Sequence, residues 1–152
     1  MPTTTTDVDI RGPRFAASVT TAVLVVTLLV STVSVPAAAA ILGLQAVVFA
    51  LSAWRGPRHS PYGILFARLV APRIGQPTER EPVAPLKFAQ LVGLVFAVIG
   101  VIGFAAGAVV LGEIATGFAL VAALLNAVFG ICLGCQLYPL VTRLRVPLPS
   151  AR

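Results

Sequence analysis

The chain has 152 residues, of which 58% are hydrophobic and only 11% charged, with a mean hydropathy of +0.98. Ordinary soluble domains are about 45–50% apolar and about 25% charged, so these figures exclude a soluble globular enzyme, and the apolar excess also excludes intrinsic disorder. The net charge of +6 comes from 11 basic and 5 acidic residues; in so apolar a chain it reads as the charge asymmetry of membrane proteins, not as a nucleic-acid surface.

A bilayer-spanning helix needs roughly 20 apolar residues, and the length predicts four of them in a single polytopic domain, 1–152. Residues 1–14 are polar, with Thr3 to Thr6, Asp7, Asp9, Arg11 and Arg14, and read as a flexible tail. The uncharged run from Phe15 to Val35 is span one. A turn near Ser34–Pro36 follows, because Pro begins a helix well, and residues 37–54 form span two. The start also resembles a signal peptide: Arg11 and Arg14, an apolar stretch, then Val-Pro-Ala-Ala-Ala-Ala. That stretch is longer than the usual signal core of about 7–15 residues, which favours a retained first span.

Residues 55–87 change character, with five Arg, Lys87 and six prolines. They predict a basic, Pro-rich loop, and 61–71 suggests a short interfacial helix with Leu65, Phe66, Leu69 and Val70 on one arc. Span three runs over about 88–111, Gly112–Glu113 reads as a tight link with Glu113 solvated, and span four covers about 114–141. Pro147 and Pro149 argue against a helix in the tail that follows. The fold class expected is therefore all-α: four transmembrane helices as two hairpins joined by the basic loop.

Every Lys and Arg lies in the N-terminal tail, the middle loop or the C-terminal tail, so these three segments should be cytoplasmic and both termini inside. Trp54, Tyr62, Phe88 and Tyr138 fall near the same ends, as an aromatic belt would. The motif Arg-Gly-Pro-Arg occurs twice, at 11–14 and 55–58. Arg11, Arg14, Arg55 and Arg58 are expected to touch lipid headgroups or another anion.

Helices in a bilayer associate through small residues that let backbones approach. Such stripes run through Ala39, Gly43, Ala46, Ala50 and Ala53; through Gly93, Ala97, Gly103 and Gly107; and through Ala119, Ala123, Ala127, Gly130 and Gly134. They predict a tight bundle, a homo-oligomer or docking into a larger membrane complex. Asn126 and Gln45 read as interhelical hydrogen-bonding residues. The spans hold no ionisable side chain, which argues against a pump or an ion-coupled carrier.

The sharpest feature is Cys132-Leu-Gly-Cys135, which holds both cysteines of the chain. Two thiols are too few for a disulfide scaffold or a four-ligand zinc site, so no metal is expected. Read as part of a continuous span four, the pair lies near its C-terminal end, roughly 12 Å of helix before Arg143. There the helix dipole opposes a thiolate, and the thiols point about 150° away from the small-residue stripe. Gly134 and Pro139 would loosen the last turns enough for a disulfide. The pair is the candidate catalytic site, for thiol redox or sulfur chemistry.

Three stretches carry a resemblance: Arg11-Gly-Pro-Arg-Phe15, Arg55-Gly-Pro-Arg-His-Ser-Pro-Tyr-Gly63, and Leu125 to Tyr138 with the cysteines inside it. With the layout between them, they resemble a bacterial integral membrane family known as domain of unknown function 4395. The resemblance implies a bacterial plasma-membrane protein and makes Cys132 and Cys135 the family's cysteine pair. It also implies a thioredoxin-like or sulfurtransferase-like partner, since members are associated with such proteins. The chain also resembles, in outline, four-helix membrane thiol oxidoreductases that pass electrons to quinone, and on that comparison a quinone could be the membrane-side acceptor of a thiol-disulfide oxidoreductase. Those enzymes carry their active pair on the extracytoplasmic side, opposite to the side expected here, and this chain has no second cysteine pair to pass electrons onward, which argues against disulfide formation in the periplasm. The alternative is a structural accessory subunit of a larger membrane complex.

Overall fold

The computed structural model describes residues 7–145. Thr3 to Thr6 of the N-terminal tail, and Pro147, Pro149 and Arg152 of the C-terminal tail, lie outside the described residues.

Four long helices form the body: α1 (Arg11–Ser31), α2 (Val35–Arg55), α5 (Val83–Ala105) and α6 (Val109–Phe129). Each has 21 to 23 residues and is long and apolar enough to cross a membrane. At about 1.5 Å rise per residue they match a hydrocarbon core of about 30 Å. The protein is a multi-pass, all-α membrane protein. Two tight links make the hairpins. In the first, the Ser34 hydroxyl accepts a hydrogen bond from the Ala37 N–H, and Pro36 occupies the first turn of α2. In the second, Gly107 takes φ +81°, a conformation that suits Gly because it lacks a Cβ.

The spans are displaced from the boundaries expected at 15–35, 37–54 and 88–111. The helices begin earlier, at Arg11, Val35 and Val83, because charged and proline residues are tolerated in a first helical turn whose N–H groups are unpaired anyway. The link between the third and fourth helices is at 106–108, not Gly112–Glu113. Gly112 is instead a buried contact: a Cβ added to Gly103 would lie 2.7 Å from the Gly112 nitrogen. Glu113 belongs to the start of α6 and accepts a hydrogen bond from the Ser31 hydroxyl at 3.3 Å.

The helices follow the cyclic order α1–α2–α5–α6, with α6 closing onto α1. Chain direction alternates up and down around this ring. The core between them contains Leu24, Ala38, Leu42, Phe49, Ala97, Phe104 and Ala119. The buried face of α2 runs through Ala38, Leu42, Gln45, Phe49 and Ser52. This is one residue off the stripe expected from Ala39, Gly43, Ala46, Ala50 and Ala53. Large side chains that fill the core, and a buried amide that needs a partner, set the rotation of this helix.

The remaining elements gather at one end. Strand β1 (Asp7–Asp9) pairs antiparallel with β2 (Arg80–Pro82), with Val8 opposite Glu81. The expected flexible tail is therefore ordered from Asp7 onward, because Val8 is buried and the strand pairing ties it to the loop before α5. After a 3₁₀ turn (Pro57–His59), the connector coils into α3 (Pro61–Leu65), a π-helical turn (Phe66–Val70) and α4 (Ala71–Ile74). Phe66 is buried with its ring 5.8 Å from that of Phe15, whereas Leu65 and Leu69 stay exposed.

The largest departure concerns the fourth span. It does not run on to residue 141: α6 ends at Phe129, and a separate helix α7 (Leu133–Arg145) follows. Gly130 takes the left-handed conformation, φ 69° and ψ 17°, as the cap of α6, the usual way a Gly stops a helix. Helix α7 packs on α5 at close range: a Cβ added to Gly134 would lie 2.6 Å from Ala89 Cα. The rings of Phe88 and Tyr138 are 5.9 Å apart beside this contact.

Candidate functional site

Cys132 and Cys135 lie at the start of α7, not at the end of α6. Cys132 immediately precedes the first residue of α7 and acts as its N-cap. Its carbonyl accepts the Gln136 N–H at 3.1 Å, and its sulfur accepts the Cys135 N–H at 3.2 Å. The two residues form a disulfide with their Cα atoms 5.2 Å apart, a separation ordinary for such bonds. This corrects the expected electrostatics. The positive end of a helix dipole faces Cys132, where it favours negative charge on sulfur. Pro139, within α7, has no N–H to give to the Cys135 carbonyl four residues earlier. Both cysteines are half-buried.

The break that creates this geometry is held from the neighbouring helix α1. The Arg14 guanidinium donates to the Ala127 and Val128 carbonyls, each at 3.4 Å. These belong to the last turn of α6, whose carbonyls have no helical donor. Arg14 thus covers the C-terminal end of α6 beside Gly130. The other three arginines of the repeated motif also meet protein groups. Arg11 makes an ion pair with Asp9 at 2.7 Å and donates to the Ile74 and Gly75 carbonyls. Arg58 donates to the Asp7 carbonyl. Arg55 stands over the Trp54 ring, 5.9 Å from its centroid. The hydrogen bonds from Arg11 hold the Asp9 carboxyl below the usual carboxylate range.

A cavity of about 230 Å³ opens inside the bundle beside the disulfide. All four long helices and α7 contribute to its wall. Cys132 and Gly134 lie on that wall with Ala119 and Ala123. Cys132 therefore shares a wall with small residues of α6 and is not turned away from them, because the turn at Gly130 redirects the chain. Phe49, Phe96 and Phe118 supply aromatic surface, and Thr20, Gln90 and Asn126 supply polar groups.

A buried polar chain leads from this cavity to the connector. Gln45 is 1% exposed. Its amide nitrogen donates to the Thr20 hydroxyl at 3.4 Å, and its carbonyl oxygen accepts from the Tyr62 hydroxyl at 2.7 Å. Burial pushes the Tyr62 hydroxyl pKa up. A second cavity, of about 290 Å³, lies under the connector between Gly12, Ser52, Phe66 and Arg80. Among the described residues, no three metal-ligating side chains come together.

Sequence reasoning found the cysteine pair and Gln45. It missed the partnership of Arg14 with α6, and the convergence of Thr20, Gln90 and Asn126 on one space. The signal for the helix break was present in Gly130, which carries no side chain to resist a positive φ.

Residues 8–143 match the model of the family described as Domain of unknown function (DUF4395). The match covers most of the chain, which belongs to this family. No curated protein and no solved structure matches it.

Proposed function

We propose that this DUF4395 protein is a membrane thiol-disulfide oxidoreductase whose Cys132–Cys135 pair exchanges electrons with a thioredoxin-like or sulfurtransferase-like partner. The observation that carries the reading is the position of the pair: a disulfide at the N-terminal end of α7, with Cys132 capped by the Cys135 N–H. A partner thiolate attacks one sulfur of the disulfide, and the S–S bond breaks with the electron pair leaving on the other sulfur. The helix N-terminus and the Cys135 N–H stabilise that charge if Cys132 is the leaving group. The partner's second thiol then displaces the mixed disulfide. The products are a disulfide in the partner and two thiols here.

The pair is at the end of the bundle that carries the basic residues, from Arg11 to Arg143. The positive-inside rule puts that end in the cytoplasm of a bacterium, with both termini inside. The partner is then a cytoplasmic dithiol protein. The test is complementation. A Cys132→Ser, Cys135→Ser double variant should fail to rescue a deletion strain under oxidative and sulfur stress. Full rescue would overturn the proposal.

A second reading, a structural subunit of a larger membrane complex, draws on Gly43 and Gly117. Both face open space on α2 and α6, where another helix would dock closely. Mass determination after gentle detergent extraction separates the readings: a stable particle of one or two copies alone counts against the subunit role.

A further inference from the structure

We infer that the cavity beside Cys132 binds the headgroup of a membrane quinone, which accepts the electrons of the cysteine pair. This deepens the thiol-exchange reading and rests on it. Three features of the cavity point to this occupant.

The first is its chemistry. A lipid tail offers no hydrogen-bond acceptor, yet the residues lining the cavity include Gln90 and Asn126, which carry side-chain amides, and Thr20, which carries a hydroxyl. Among the described residues, neither amide is hydrogen-bonded through its side chain. Thr20 accepts from Gln45, which leaves its own O–H to donate. Donors around an otherwise apolar space fit a flat ring bearing carbonyls. The aromatic walls fit its faces, since flat π-systems pack favourably against one another.

The second is size and access. Sites that enclose a whole drug-sized ligand run to about 300–1,000 Å³. At about 230 Å³, this cavity takes a ring headgroup and leaves an isoprenoid tail outside. Phe118 lines the cavity and is also 61% exposed on the outer surface of the bundle. The cavity wall thus reaches the face that lipid covers, and a tail has its exit there.

The third is the sulfur. Cys132 is part of the wall, whereas Cys135 is not. One disulfide therefore meets the cavity through one cysteine and leaves the other for an outside partner. The step balances without a further reagent. Two S–H bonds break and one S–S bond forms, and the two electrons and two protons released convert both quinone carbonyls to hydroxyls. The partner dithiol then reduces the pair again.

The test uses the full chain in lipid nanodiscs, reduced with dithiothreitol, desalted without oxygen and mixed with decylubiquinone. Quinol is followed by ultraviolet absorbance, and the pair by a maleimide gel shift. One quinol per oxidised pair is expected. Ala123→Phe, which fills the cavity, and Asn126→Leu, which removes a donor, should each slow the reaction about tenfold, the scale on which a pocket discriminates by shape and polarity. Two results would overturn the inference: quinone that stays oxidised while the pair still exchanges with thioredoxin, or wild-type rates in both variants. The first leaves the thiol-exchange reading standing. A pair inert to quinone and thioredoxin alike overturns both.

Discussion

At the hairpin end of the bundle, α5 and α6 are joined by three residues and touch through glycines, so that a Cβ on Gly112 would fall 2.6 Å from the Phe104 ring. At the basic end the same helices leave room for a cavity, and a second lies under the connector. The buried or half-buried amides and the Tyr62 hydroxyl lie toward that end, Gln45, Gln90 and Asn126 among them, whereas the hairpin half buries only the small hydroxyls of Thr27, Ser31 and Thr116 beside half-buried Glu113. The contrast separates two uses of small residues. On the hairpin side they allow backbones to approach closely, which strengthens the packing that helps hold helices together in lipid. On the basic side, Ala119, Ala122 and Ala123 leave space that no other side chain fills. One end holds the bundle together, and the other end carries the cysteines.

Substitutions at the two ends should therefore differ in kind. The largest effect is expected for Gly112→Leu, which drives a side chain into Phe104 and Gly103. It should cost about 3 kcal/mol, the upper part of the range for overpacking, and lower the thermal midpoint in detergent; an unchanged midpoint would show that the hairpin end is not closely packed. Gly134→Ala, at the basic end, meets the Ala89 backbone and should cost about 1–2 kcal/mol. Its signature is local: the maleimide labelling rate of the reduced pair should change severalfold, with a smaller shift in midpoint than for Gly112→Leu. Equal shifts in midpoint would erase the distinction between the ends.

Tyr62→Phe removes the donor to the buried Gln45 carbonyl and should cost about 1–2 kcal/mol. Adding Gln45→Leu to it should restore part of that loss, because an unpaired buried amide costs more than none. Arg14→Met should cost about 0.5–1 kcal/mol. It should speed amide hydrogen exchange around Gly130, and unchanged exchange there would mean that Arg14 does not hold the break.

The smallest effect concerns pH. Asp9 is held by Arg11 below its ordinary range, so its contribution is present above the unfolded value of about 3.9 and is lost as pH falls through the folded value. Acidification should loosen the β1–β2 pairing, read as exchange of the Val8 amide, and Asp9→Asn should abolish this dependence.

Much of this organisation is written in the sequence. Four runs of about 20 apolar residues permit little besides four spans, and the basic residues mark which ends lie together. Gln45 is legible because an amide in a bilayer needs a partner. The site is less legible. Residues 114–141 carry no charge, so hydropathy continues through Gly130 as though the helix did. Only a positive φ at that glycine reverses the electrostatics around the cysteines, from a helix C-terminus to a helix N-terminus. The buried face of α2 was displaced for a related reason: small residues mark where backbones can approach, but Leu42, Gln45 and Phe49 decide which face turns inward. The cavity is not legible, because Thr20, Gln90 and Asn126 belong to three separate helices and Cys132 to the link before a fourth.

The most direct test of the central claim is the redox state of Cys132 and Cys135 in living cells. It is read as a gel shift with a large maleimide after acid quenching, before and after a brief oxidant pulse. The account predicts a pair that oxidises and returns to dithiol within minutes. A pair that stays reduced and unreactive throughout would contradict it.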